Sequence, residues 1–206
     1  MGFIDKFILP KEIDFNAALQ AQALVTLKLV HNLYAAFIKD DQSALVAISA
    51  DAEKARLLKE SNMKELLDVF IAPYDKESIY RIITQLDWIS LSVNHFKLES
   101  QAYAVETLHE YQSILKLLME MATLLENGIA QLSAKQIESI ADNTNRIHDQ
   151  YDRVVVLCAT SMADLLQQDD CKEIIVYREI LSQLKEIAKR IHVTANTLED
   201  MMIKTQ

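Results

Sequence analysis

Glycine and proline are so scarce in this sequence that they restrict its fold class. Only two glycines and two prolines occur among 206 residues. A sheet needs frequent turns, and most turns depend on the positive φ that glycine tolerates or on the fixed φ of proline, so four such residues cannot separate many strands. Because 50% of the residues are hydrophobic, the chain can also bury a substantial core. The sequence therefore predicts one all-α globular domain spanning residues 1–206.

Apolar residues recur at alternating steps of three and four along six segments, which is the spacing of one helical face. The first helix is expected over residues 16–39, and the apolar stripe of the fourth helix begins at Ala104 and runs to Leu125. Helices of about 25 residues are about 38 Å long, which favours an elongated up-and-down bundle. The same order of long helices in residues 1–99 and 100–206 predicts two diverged three-helix repeats.

Residue types between these segments predict where the helices begin and end. The Lys-Asp-Asp sequence at residues 39–41 should end the first helix, and Gly128 should end the fourth. Ser133 and Gln136 have the spacing of a capping box that would start the fifth helix. Asp170 is placed to cap the sixth.

Pro73 marks a corner between the second and third helices. Proline disfavours helix at the residue before it and cannot donate a hydrogen bond in a helix interior, so the second helix should stop near Phe70. Asp75 can then cap the third helix, with Glu77 and Ser78 in its first turn. These residues alone predict a structural corner, not a reactive loop.

The charge balance and the apolar pattern exclude several classes of protein. A net charge of -9 and a pI near 5.0 argue against nucleic-acid binding, which depends on lysine and arginine releasing counterions from phosphates. No uninterrupted apolar stretch approaches the roughly 20 residues that span a bilayer, and the start of the chain lacks the pattern of a signal peptide. We therefore expect a cytoplasmic protein without direct lipid insertion.

Motifs of catalysis are not evident in the sequence. Cys158 and Cys171 are isolated and are expected to be ordinary reduced thiols. Glu106 and His109 form a single Glu-x-x-His, whereas a di-iron bundle needs two copies and two further glutamates. The sequence also has no glycine-rich phosphate loop and no evident pair of nucleophile and base. We expect no enzymatic activity.

Three segments resemble one known family. FIAPYDKESIYRIITQLDWI, at residues 70–89, is similar to the corner segment of PhoU-like proteins, a family of phosphate transport regulators and Pit accessory proteins. FIDKFILPKEIDFNAAL at residues 3–19 resembles the family's opening, and YREILSQLKEIAKRIHVTANTLEDMMIK at residues 177–204 resembles its final helix. The resemblance implies a six-helix bundle of two repeats, a cytoplasmic location and a role in regulating inorganic phosphate transport.

The resemblance also implies acidic Glu-x-x-x-Asp pairs that bind metal ions, but these motifs are degenerate here. The weak remnants, of which Glu53 is displaced from its expected position, are Glu53, Asp87, His148 and Asp152. The other ligand positions hold no carboxylate: they are Ala52, Arg56, Trp88, Leu91, Lys185, Lys189 and His192. A second alignment of the fifth helix places Gln150 and Val154, instead of His148 and Asp152, at its two ligand positions. A lysine ammonium has no lone pair to give a metal. We hypothesise that the cationic side chains replace the metal, pair with Asp87, Asp152 or Glu53, and line one face of the bundle together.

Other interpretations of these residues and of the whole chain stay open. Arg56, Lys185 and Lys189 can belong to a solvated face, or they can bind an anion such as phosphate. No cofactor is expected, although iron, zinc or manganese bound in the manner of the family is the alternative. The leading function is regulation by contact with a phosphate transporter or an associated signalling protein, which would hold the protein at the membrane periphery. The competing functions are a metal- or ligand-binding bundle and a structural, homo-oligomerising bundle.

Overall fold

The computed structural model describes residues 13–204, and this part of the chain contains six α-helices, one short 3-10 turn and no strand. The α-helices are α1 (Phe15–Ile38), α2 (Gln42–Asp68), α3 (Lys76–Ala102), α4 (Gln112–Ala130), α5 (Ile137–Leu165) and α6 (Cys171–Ile203). The predicted all-α class is confirmed. Most of the opening segment that carries part of the family resemblance, residues 3–12, lies outside the described residues.

Aspartates cap most of these helices at their N-termini. Asp41 accepts hydrogen bonds from the backbone N–H groups of the first turn of α2, and Asp14 does the same for α1. Asp75 Oδ2 accepts from Ser78 N at 3.1 Å, and Asp170 Oδ1 accepts from Lys172 N at 2.8 Å. These bonds satisfy amide groups that have no partner inside the helix. The predicted starts of α3 and α6 are therefore confirmed.

The corner at Pro73, between α2 and α3, is anchored to α1 and to the segment that follows α4. Helix α2 ends at Asp68, and α3 begins only after Asp75, as the sequence predicts. The hydroxyl of Tyr74 lies 2.8 Å from Asn16 Oδ1 at the start of α1 and 3.1 Å from the carbonyl oxygen of Leu132 after α4. The corner is therefore anchored to both neighbouring helix ends.

The predicted starts of the fourth and fifth helices are wrong, because the chain turns before each of them. Ala104 is not helical: it has a φ of 58° in a turn, and the chain continues to Leu108, whose N–H donates to Phe37 O at 2.9 Å. Helix α4 therefore begins only at Gln112. Ser133 does not cap α5, because its hydroxyl lies near Ala130 O, and Gln136 is the N-cap residue without a side-chain cap bond.

Gly128 does not end α4 as predicted. The helix continues to Ala130, and Gly128 has no positive φ. A Cβ atom added at this position would lie 2.9 Å from Leu198 Cδ2 on α6. Leu198 is fully buried, so it has little freedom to move away. The glycine therefore permits the close approach of α4 and α6.

The helices pack as two groups of three. Helices α1, α2 and α3 contact one another, as do α4, α5 and α6, and the groups meet along α1 with α4 and along α3 with α6. The core contains fully buried side chains from both groups, including Leu29, Ile48, Leu86, Leu118 and Ile191. The division at residues 99 and 100, and its origin in a repeat, stay predictions.

Helix α1 differs from the expectation that no segment could span a bilayer. Among the described helices it is long and apolar enough by length and composition, with a mean hydropathy of 1.2 over its most apolar window. However, 56% of that window is buried inside the bundle. Within the bundle Gln22 donates to Ile83 O at 2.8 Å and accepts from Asn62 Nδ2 at 3.0 Å. Burial against α2, α3 and α4 accounts for the apolar composition of α1.

Candidate functional site

Glu53 and Arg56 form an ion pair on the exposed surface of α2. Arg56 Nε donates to Glu53 Oε2 at 2.9 Å, and a second guanidinium nitrogen lies 2.6 Å from Glu53 Oε1. Glu60, one turn further along the helix, also contacts Arg56. The hydrogen bonds from Arg56 lower the pKa of Glu53, and Glu53 raises the pKa of Arg56. Both oxygens of the Glu53 carboxylate thus accept hydrogen bonds from the Arg56 guanidinium.

Asp87 is paired with Lys59, which occupies none of the motif positions. Lys59 Nζ lies 2.8 Å from Asp87 Oδ2, and the pair joins α2 to α3. The cations predicted to pair with Asp87, namely Arg56, Lys185 and Lys189, form no ion pair or hydrogen bond with it. Helical spacing could have identified Lys59 as a residue that faces a neighbouring helix. It lies on the same face of α2 as Ala55 and Asn62, which are both buried.

Asp51, also close to the expected ligand positions in α2, is buried between α1 and α2. Lys28 Nζ lies 2.9 Å from Asp51 Oδ1, and Asn32 Nδ2 donates to Asp51 Oδ2 at 2.9 Å. Both carboxylate oxygens therefore have a partner on α1. This carboxylate serves helix packing, since a buried charge is stable only when it is paired and hydrogen-bonded.

His148 of α5 and His192 of α6 are in direct contact. Their Nδ1 atoms lie 3.1 Å apart, and the ring centroids are 4.6 Å apart in an edge-to-face arrangement. The Tyr151 ring lies 4.6 Å from the His192 ring on another side. Burial lowers the pKa of His192, His148 lowers it further, and Asp152 opposes the shift. A hydrogen bond between two Nδ1 atoms needs one donor and one acceptor, so the contact is lost when both rings are protonated.

Lys185 and Lys189 are exposed on α6. Among the described residues, neither ammonium group has a carboxylate oxygen within 4 Å. The predicted pairing of these lysines with Asp87 or Asp152 is therefore not formed. Lys185 lies beside the α5–α6 contact, and Lys189 lies near Trp88 at the contact of α3 with α6.

The predicted site residues do not gather on one shared face. They fall into two groups, Glu53, Arg56 and Asp87 on α2 and α3, and His148, Asp152, Lys185, Lys189 and His192 on α5 and α6. No hydrogen bond or ion pair within the described part of the chain links one group to the other. The tertiary structure thus separates two polar sites, one in each group of three helices.

The side chains at these positions do not fit the metal ions that the family resemblance implies. Between residues 13 and 204, no three His, Cys, Asp or Glu side chains lie close enough together to hold a metal ion. Glu53 and Asp87 are engaged by Arg56 and Lys59, and hard cations need several free oxygen ligands. The replacement of a metal by cationic side chains stays a hypothesis, with Lys59 as an additional participant.

The fold and these polar contacts define the protein as a long helical bundle of two three-helix groups, each with a charged or imidazole pair between its second and third helices. Such a bundle is the architecture implied by the resemblance to PhoU-like proteins.

The comparisons confirm the PhoU-like fold. No protein-family model matches the chain. It is 26% identical over 144 residues to the UPF0111 protein YkaA of Bacillus subtilis strain 168, which covers 69% of this chain and 70% of that protein. A Shewanella oneidensis MR-1 protein assigned as a PhoU-like phosphate regulatory protein matches with a TM-score of 0.76 at 14% identity, covering 92% of this chain and 99% of that one. A structure of a PhoU-like protein from the same organism gives a TM-score of 0.75 at 15% identity, with the same coverage.

Proposed function

We propose that this protein is a non-catalytic regulator of inorganic phosphate transport that binds a phosphate transporter or a signalling protein associated with it. The observation that carries the proposal is the match of 92% of the chain, with a TM-score of 0.76, to a protein assigned as a PhoU-like phosphate regulatory protein. The corner segment at residues 70–89, with its Pro-Tyr-Asp, supports the same family from the sequence side.

An exposed apolar corner supports action through protein contact. Leu67, Phe70 and Ile71, between α2 and α3, are 83%, 86% and 78% exposed. Large apolar side chains that are exposed together are typical of surfaces covered by a protein partner. A bundle that binds one conformation of a transporter more tightly than another shifts the transporter toward that conformation.

The proposed location is the cytoplasmic side of the membrane, where the transporter would hold the protein. The net charge of -9 opposes direct binding to anionic lipid, because the negative surface of a cytoplasmic leaflet attracts basic segments. Attachment through a protein partner avoids this repulsion.

Phosphate uptake in cells that lack this protein tests the proposal. We expect the initial rate of radioactive phosphate uptake to change on deletion and to return when the wild-type chain is supplied. We also expect a phosphate transporter or its signalling partner to co-purify with the tagged protein. Sulfate uptake is the control, and its rate should not change on deletion. Unchanged phosphate uptake together with no such co-purification would refute the proposal.

A further inference from the structure

A groove of about 330 Å³ lies between α5 and α6. Its floor is largely apolar and is formed by Val155, Cys158 and Met162 of α5 and Leu181 of α6. Cys158 and Leu181 belong to the buried core, so the floor is fixed by packing. We call this feature the α5–α6 groove.

Two cations line the α5–α6 groove. Arg178 and Lys185 project from the exposed surface of α6, with Ser182 between them. In the part of the chain that the structure describes, neither side chain has a carboxylate oxygen within 4 Å of its charged nitrogen atoms. Lys185 is close enough to the floor that its positive charge partly offsets the effect of burial on the pKa of Cys158.

Glu186, which follows Lys185 in sequence, is paired with another cation of α6. It lies 3.1 Å from Arg190. The residues that line the groove include these two cations and no carboxylate, although the chain has 30 acidic and only 21 basic residues. The groove therefore has a positive edge on a protein whose overall charge is negative.

The spacing of the two cations favours an extended, helical ligand. Arg178 and Lys185 are seven residues apart on α6, which corresponds to two turns and about 10 Å of rise. A helix laid along the groove can place two carboxylates two turns apart opposite these cations and apolar residues on the floor between them. A single small anion has one centre of charge and makes no use of the apolar floor.

We propose that the α5–α6 groove is the docking site for an amphipathic helix of a partner protein that carries two carboxylates two turns apart beside an apolar stripe. The proposal rests on the proposed function for the identity of the partner, and it adds the surface and the chemistry of the contact. Charge complementarity positions the helix, and burial of its apolar stripe supplies most of the binding free energy.

Binding of designed helices to the full chain tests this site. The probe is a fluorescein-labelled, helix-stapled peptide of about 20 residues, long enough for a stable helix, with leucines along one stripe and two glutamates seven residues apart. A matched peptide carries lysines in place of the two glutamates. We expect fluorescence anisotropy to show saturable binding of the glutamate peptide, weakened by salt, and at least about tenfold weaker binding of the lysine peptide.

Charge reversal assigns the binding to the groove. Both cations are exposed, so the Arg178→Glu/Lys185→Glu variant should fold, as circular dichroism can verify. We expect this variant to lose at least about tenfold in affinity for the glutamate peptide and to gain affinity for the lysine peptide. Lys172→Glu, also an exposed cation of α6 but outside the groove, is the matched control and should bind as the wild type does.

Several results would overturn the proposal. Equal binding of the two peptides, no binding of either, or unchanged binding by the charge-reversed variant would exclude a charge-selective helix site. Displacement of the peptide by millimolar inorganic phosphate, but not by equal ionic strength of chloride, would instead assign the groove to a free anion. A dimer in sedimentation equilibrium that the charge reversal dissociates would assign it to a second copy of the chain.

Failure of this proposal is distinguishable from failure of the proposed function. If deletion of the protein changes phosphate uptake but the peptides do not discriminate, the regulatory function stands and the groove proposal falls. If the peptides discriminate but deletion leaves uptake unchanged and no transporter co-purifies, the groove binds a helix and the regulatory function falls.

Discussion

Lys59 Nζ lies 2.8 Å from Asp87 Oδ2, and this ion pair joins α2 to α3 around a carboxylate that is only 12% exposed. Replacing Lys59 by methionine keeps most of the side-chain volume but leaves the Asp87 charge without its partner. We expect Lys59→Met to lower the free energy of unfolding by about 2 kcal/mol, measured by urea denaturation.

A second substitution separates the charge effect from packing. In the Lys59→Met/Asp87→Leu double variant no unpaired charge remains, so most of the lost stability should return. Lys54→Met, at an exposed position of the same helix, should change stability by less than about 0.5 kcal/mol. If Lys59→Met were as stable as Lys54→Met, the pair would be effectively screened by solvent.

Gly128 should be sensitive even to one added methyl group. Alanine favours helix over glycine by about 1 kcal/mol, but its Cβ would lie 2.9 Å from Leu198 Cδ2 and would overpack the core. We expect Gly128→Ala to destabilise the protein by about 1 kcal/mol in thermal or urea unfolding. In a Leu198→Ala background, Gly128→Ala should become stabilising because the leucine side chain is gone. If a double-mutant cycle showed no coupling energy between the two positions, the contact of Gly128 with Leu198 would not limit packing.

Stability should fall in mild acid because of two histidines. Burial and the neighbouring His148 lower the pKa of His192, and burial and Lys39 lower the pKa of His31. Each ring therefore binds fewer protons in the folded than in the unfolded state, so the free energy of unfolding decreases as the pH falls below about 6.5. Urea denaturation at pH 7.5 and at pH 5.5 measures this loss.

Replacing His192 by glutamine tests its share of the acid sensitivity. His192→Gln should reduce the difference in stability between pH 7.5 and pH 5.5, while the contribution of His31 remains. His95→Gln, which changes an exposed histidine of α3, serves as the control and should leave the difference as in the wild type. An identical pH dependence in His192→Gln and the wild type would rule out the proposed role of the α5–α6 histidine contact.

The two cysteines should differ strongly in reactivity. Cys158 is buried, and burial raises the pKa of its thiol to about 11, so the thiol stays almost entirely protonated at pH 8. Cys171 is exposed at the start of α6. We expect iodoacetamide at pH 8 to modify Cys171 much faster than Cys158 in the native protein, and both at similar rates in guanidinium chloride. Mass spectrometry of tryptic peptides gives the two rates, and equal native rates would show that the Cys158 thiol is accessible in the folded protein.

Residues close together in sequence allowed reliable predictions. Pro73 and Asp75 predicted the end of α2 and the capped start of α3, because a missing amide hydrogen and a capping carboxylate act within one turn. The apolar steps of three and four predicted six helices for the same local reason. The capping box at Ser133 failed, because the chain makes a turn through Lys135, with a φ of 51°, before α5 begins.

The candidate site was harder to predict because its residues meet across helices. The motif positions identified Asp87, His148 and His192, but they did not identify Lys59 as the partner of Asp87 or show that the two histidines touch. The expectation of one shared charged face placed all of these residues together. The structure divides them between α2 with α3 and α5 with α6, because α2 packs against α3 and α5 packs against α6.

The sequence by itself determined the helical class, the corner at Pro73 and the face that each helix buries, since these follow from backbone preferences and from the 3.6-residue period. Only the tertiary structure decided which buried face meets which. Lys59 and Asp87 are 28 residues apart in sequence, and His148 and His192 are 44 residues apart. Their contacts, like that of Gly128 with Leu198, depend on the rotation and depth of packing of whole helices, which are set jointly by many core side chains.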